Sequence, residues 1–215
     1  MRSRSRAPLT KLTALDRIVA LARVCARAAR GVEKPLVAEM RRALKNGVPP
    51  ALLREALLQT YLFAGFPRAI SALTLLTREA PEAPFLVERP RPAAEWRRRG
   101  TRLCRAVYGP AFPALMKNMK RAHPDLADWI LVEGYGKTLG RPFLALRERE
   151  LIVVPTLAAL GAWRQLPSHV RGALRAVASG REVAAVLRGS AGAVPASAVR
   201  RSLRELSASR RRIVE

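Results

Sequence analysis

With 215 residues, 40 Lys and Arg against 16 Asp and Glu, and a formal net charge of +24, the chain is strongly basic and long enough to bury a core. Apolar residues make up 49% and aromatics 5%, with Ala and Leu dominant, a composition that favours packed helices; no strand-like alternation opposes it. Two cysteines exclude a disulfide framework, no apolar run is long enough for a membrane span, and Met1 to Arg6 has no apolar stretch after it, so the expectation is an all-α, soluble, cytoplasmic protein without a membrane partner.

Residues 1–10 read as a basic disordered arm. The first helical module covers 11–80. Leu12, Leu15, Val19, Ala22, Cys25 and Ala29 recur at helical spacing, and Gly31 ends that helix. Pro35 starts a second helix that stops at Asn46-Gly47. Pro49-Pro50 opens a third over 51–64; Gly65 stops it, and Pro67 starts a fourth. Residues 81–100, with Pro81, Pro84, Pro90 and Pro92, read as a Pro-rich connector.

The second module covers 101–190, with helices over 101–108, 113–121 and 124–134. Gly134 closes the last of these, and Gly136 and Gly140 make a tight loop after it. Residues 151–162 are apolar nearly all round, which predicts a buried helix kinked at Pro155. Pro167 starts the helix carrying His169, with Val170, Leu174 and Val177 facing inward. Residues 191–215 form a basic tail holding a short, peripheral helix over 198–206.

Residues 31–57 align on 161–187 without gaps. Gly31 pairs with Gly161, Leu36 with Leu166, Arg41 with Arg171 and Leu57 with Leu187, which predicts two related helical modules. The alignment sets Glu39 opposite His169, each at a helix start on the boundary of buried and exposed faces, where a polar group can line a cleft.

His123-Pro124-Asp125-Leu126, Trp129, Gly134-Tyr135-Gly136, Arg141-Pro142, Arg149-Glu150-Leu151, Leu166, His169 and Ala173 together resemble the carboxymuconolactone decarboxylase family, which shares its helical fold with the alkylhydroperoxidase D group. A second match lies upstream at Asn46-Gly47-Val48, Arg54-Glu55, Gln59, Tyr61 and Gly65-Phe66-Pro67. The peroxidase group works through a Cys-x-x-Cys pair ahead of its His. Here Ala162 and Gln165 stand at those positions, so thiol peroxidase chemistry is excluded. The decarboxylase branch implies no metal and no organic cofactor, a small carboxylate substrate such as a carboxylated lactone, and a homo-oligomer.

On that resemblance the catalytic candidates are His169 for proton transfer and Glu133 to orient it, with Arg141, Tyr135 and Glu39 as substrate-binding candidates. Two other classes remain open. One is a non-catalytic helical scaffold or small-molecule binder that keeps only the fold. The other is nucleic-acid binding through Arg side chains; their scatter along the chain fits a coding bias better than a dedicated face.

Overall fold

The computed structural model describes residues 12–214, so the basic arm expected over 1–10 lies outside the described residues. Among those residues the chain is all-α, the one β feature being an isolated bridge between Ala191 and Val194. None of the described helices is long and apolar enough to cross a membrane.

Helix α1 (Ala14–Arg30) starts at a reciprocal cap in which the Asp16 amide donates to Thr13 Oγ1 at 3.1 Å and the Thr13 amide donates to Asp16 Oδ2 at 3.3 Å. Gly31 ends it in the left-handed conformation at φ 68°. Helices α2 (Glu33–Lys45) and α3 (Pro50–Leu58) follow, and α3 stops six residues short of the expected 64. There the Thr60 amide and hydroxyl both donate to the Leu57 carbonyl, at 3.0 and 2.7 Å, which draws the chain into a tight turn. The next element, α4 (Tyr61–Glu79), is broken at Gly65 (φ 81°, ψ 163°) and resumes at Pro67, as the sequence predicts.

The connector is shorter than the expected 81–100, because α5 (Ala93–Tyr108) begins directly after Pro92. The nearly buried Glu88 fastens it, accepting from Arg99 Nη1 and Nη2 at 2.6 and 3.0 Å and from Arg91 Nε at 3.2 Å. A 3₁₀ turn (Gly109–Ala111), α6 (Phe112–Ala122) and α7 (Pro124–Trp129) lead into a π-helical segment, Ile130–Thr138.

That segment corrects the reading of its glycines. The helix runs through Gly134 and Gly136, where a stop and a loop were expected, and Leu139 N still donates to Gly134 O at 2.9 Å. Gly136 serves close packing. A Cβ on Gly136 would lie 2.4 Å from Trp96 O, and one on Gly100 of α5 would lie 1.7 Å from Leu131 O, so the two backbones touch.

Helix α8 (Leu146–Leu160) begins five residues ahead of the apolar run and continues through Pro155. It is buried from Arg149 to Ala158 and shares one core with α1, where Leu21, Ala22 and Cys25 join Ile152, Val153 and Leu157. Helices α9 (Leu166–Arg175), α10 (Gly180–Gly189) and α11 (Ala196–Val214) complete the chain. At the spacing of the sequence alignment the end of α2 and the start of α3 match the end of α9 and the start of α10, while α9 starts later than α2, and Gly161 caps α8 at φ 69° as Gly31 caps α1.

Two further expectations change. Val177 does not face inward: α9 ends at Arg175, and Val177 stands 84% exposed in a left-handed conformation. The tail helix is neither short nor peripheral, since it buries Ser202, Leu206 and Ser209 and contributes Ala198 and Val199 to a cluster with Ala26 of α1 and Ala158 of α8.

Because α5 and the π-helical segment meet backbone to backbone, Gly100→Ala and Gly136→Ala should each destabilise the fold by about 3 kcal/mol. Urea unfolding followed by far-ultraviolet circular dichroism measures it; midpoints equal to the wild type would show that the two segments do not approach so closely.

Candidate active site

Two consecutive charged residues of α8, Arg149 and Glu150, are fully buried and point to different partners. Arg149 reaches α3, donating to Glu55 Oε1 at 2.6 Å and to Gln59 Oε1 at 3.2 Å. Glu150 reaches α9, where its Oε2 lies 2.8 Å from His169 Nδ1. Pro167 occupies the first turn of α9 and His169 follows it. One turn further on, Gly172 leaves the room the carboxylate occupies: a Cβ there would sit 3.0 Å from Glu150 Oε2 and 2.6 Å from Val107 Cγ1.

The paired carboxylate fixes the imidazole, with Nδ1–H as donor to Glu150 and Nε2 as the nitrogen left to meet a ligand. His169 lines a cavity of about 500 Å³ formed by the start of α4, α7, the π-helical segment and α9. Phe63 meets the imidazole edge-on at 5.5 Å between centroids, and Tyr61, Tyr108, Tyr135 and Ile130 continue the wall. Phe66 and Trp129, both more than half exposed, form its rim.

Burial sets the proton-holding groups of this wall and of the core cluster packed against it. It pushes the Tyr135 hydroxyl well above its ordinary value, assisted by the Glu150 charge. Tyr108 is pushed up to about 12, by burial first and then by Cys104 and Glu150. Cys104 is also pushed up to about 12, by burial and then by Glu150. At neutral pH these three groups keep their protons and can act only as neutral donors. The Tyr61 hydroxyl, raised mainly by burial, shares a 2.6 Å hydrogen bond with Thr138 Oγ1. Among the described residues no three His, Cys, Asp or Glu side chains gather to hold a metal ion.

Of the five residues singled out in the sequence, the structure brings three to this cavity: His169, Tyr135 and Glu133. Glu133 stands near the mouth, about half exposed and paired with Lys137 at 2.7 Å, whereas the His169 partner is Glu150. Arg141 lies elsewhere, donating to Glu55 Oε1 at 2.8 Å and to the Leu86 carbonyl at 2.5 Å. Glu39 is also apart; it is held by Arg23 of α1 at 2.7 Å, by Arg42 and by Arg27 at 4.0 Å. The site residues that sequence reasoning missed are Glu150, Phe63 and Tyr108. The signal for Glu150 was a charged pair opening an otherwise apolar helix, which demands buried partners.

The raised thiol has two consequences. Alkylation of Cys104 by iodoacetamide at pH 8 should run at least about 100-fold slower in the folded protein than in urea, because the thiolate is the reactive form. Stability should also hold below the ordinary thiol value and fall as pH rises above it, since the unfolded chain then releases protons that folded Cys104 and Tyr108 retain. Urea midpoints between pH 7 and 10.5 test this, and a flat profile would contradict the burial of these groups.

Residues 124–208, from α7 through most of α11, match the carboxymuconolactone decarboxylase family. Over 135 residues the chain is 31% identical to peroxisomal protein 2 of Schizosaccharomyces pombe, covering 61% of this chain and 63% of the relative. Over 171 residues it is 27% identical to peroxisomal protein 2 of Saccharomyces cerevisiae, covering 66% of this chain and 59% of the relative. The chain thus spans about three fifths of the length of these curated relatives. The matched segment, residues 124–208, carries Glu150, His169 and Gly172.

Proposed function

We propose that the cavity is the active site of a cofactor-independent decarboxylase or lyase acting on a small carboxylated lactone or a related acid. The observation that carries this reading is the buried contact of Glu150 Oε2 with His169 Nδ1 at 2.8 Å on the wall of an aromatic cavity. His169 acts through Nε2 as the proton carrier. Glu150 holds the ring and stabilises its protonated form, as a carboxylate behind a catalytic imidazole does. In the decarboxylation, the bond from ring carbon to carboxylate breaks and CO₂ leaves. Its electron pair delocalises onto the lactone carbonyl as an enolate, and His169, protonated at Nε2 from solvent, delivers that proton to carbon and is left as neutral imidazole. The apolar wall favours this direction, because it solvates neutral CO₂ better than a carboxylate. Tyr108 and Tyr135, protonated at neutral pH on the cavity wall, are the donors this reading assigns to the enolate oxygen.

Arg141 has no part in this mechanism; its guanidinium is bonded to Glu55 and Leu86. The two sets of helices, α1 to α3 and α8 to α10, represent one duplicated module in this reading. The exposed rim at Phe66 and Trp129 is where a homo-oligomer would form. The cytoplasmic location expected from the sequence stands against the peroxisomal naming of the relatives, and imaging a tagged chain distinguishes the two.

The experiment is a thermal-shift screen of wild type, His169→Ala and Glu150→Gln against lactones, dicarboxylates and keto acids, at moderate salt to suppress loose anion binding. One chemical class should stabilise the wild type and lose that effect in His169→Ala. With a compound that turns over, Glu150→Gln should lower kcat by about 100-fold with a smaller change in KM. If no class loses its stabilising effect in His169→Ala, the catalytic reading fails.

A further inference from the structure

We infer that a second cavity, where the buried guanidinium of Arg54 meets Thr77 and Phe85, binds an oxyanion, a carboxylate or a phosphate, carried on a small and partly apolar molecule. The cavity measures about 360 Å³ and lies between α3, the later part of α4 and the connector. It shares no lining residue with the His169 cavity, so the inference stands apart from the proposed activity.

Arg54 is only 9% exposed. Its Nη1 donates to Thr77 Oγ1 at 3.0 Å, which fixes the plane of the guanidinium, while Nε and Nη2 are buried with no hydrogen-bond partner. The Phe85 ring, itself 70% exposed, covers the guanidinium carbon at 4.4 Å. A buried cation with two idle donors on one edge costs far more than a surface arginine, unless an anion accepts from that edge. Nε and one Nη present the fork that takes two oxygens of a carboxylate or phosphate at once.

The local charge is unbalanced in the same sense. Glu55 is the carboxylate of this wall, and it already receives Arg141 Nε at 2.8 Å and Arg149 Nη2 at 2.6 Å. Arg54 adds a third guanidinium, with no bond to Glu55. One anionic group in the cavity would engage its free edge and reduce the excess. Leu58, Leu73 and Leu86 line the remainder, so the group that carries the anion has an apolar face to lie on. The exposed Phe85 side chain is the cover that a ligand must pass.

The test is titration of the full chain with inorganic phosphate, benzoate and hexanoate at constant ionic strength, against chloride, followed by melting temperature and calorimetry. At least one oxyanion should raise the melting temperature and bind saturably. Arg54→Gln should weaken it by about tenfold or more, and Arg54→Lys, which keeps the charge but loses the fork, by a comparable factor. His169→Ala should leave it unchanged, which separates this site from the proposed active site. A response to phosphate alone marks a phosphorylated ligand, and a response to benzoate or hexanoate marks a carboxylic acid. The inference is overturned if no oxyanion exceeds chloride in the wild type, or if either Arg54 variant binds as the wild type does.

Discussion

The ion pair between Arg149 and Glu55 is the constraint on which the arrangement of helices turns. Both side chains are almost wholly removed from water, and Arg149 also donates to Gln59 and to the Arg141 carbonyl. Arg141 donates in turn to Glu55 and to Leu86 of the connector. Residues from α3, the connector, the stretch before α8 and α8 itself therefore share one buried network, and removing any member strands a charge. Its register along α8 places Glu150, the next residue, against α9. A one-residue slip of that helix would exchange the two charges and separate Glu150 from His169.

Glu39 and His169, paired by the sequence alignment, are both buried polar groups, but of opposite kinds. Glu39 lies midway along α2, behind Leu36 on its buried face and not at the helix start expected of it, and is held by cations, chiefly Arg23 from α1. His169 stands at the matching point of α9 and is held by the carboxylate of Glu150 from α8. In the first set a carboxylate bound by arginines has neither a free base nor an aromatic wall around it. In the second the imidazole keeps one nitrogen and faces Phe63. The alignment of the two in sequence located both residues; their partners determine which can move a proton.

What could be read from the sequence was what depends on near neighbours. The left-handed Gly31 and the break at Gly65 with Pro67 are written within a few residues of themselves, and so is the apolar stripe of α1. Gly136 was misread because a glycine that ends a helix and one that lets another helix approach are alike in the chain. Only Trp96 and Leu131, brought near in space, tell them apart. Arg141 was assigned to a substrate because its partner, Glu55, is 86 residues away. Val177 was placed inward by continuing a helical period past Arg175, where the helix had already ended. His169 was found by its chemistry, but Glu150 needed the fold to bring α8 and α9 together.

The contact of α1 with α8 has a kinetic consequence. Arg17 of the first bonds Glu148 of the second across 131 residues of sequence, and the apolar residues of both helices fill the same core. Neither helix can cover its apolar face until nearly two thirds of the chain has been gathered in, and the loop-closure entropy of that step precedes its reward. A helical protein with only neighbouring contacts folds quickly. Here the folding rate should be limited by that long-range docking, while the helices form far sooner.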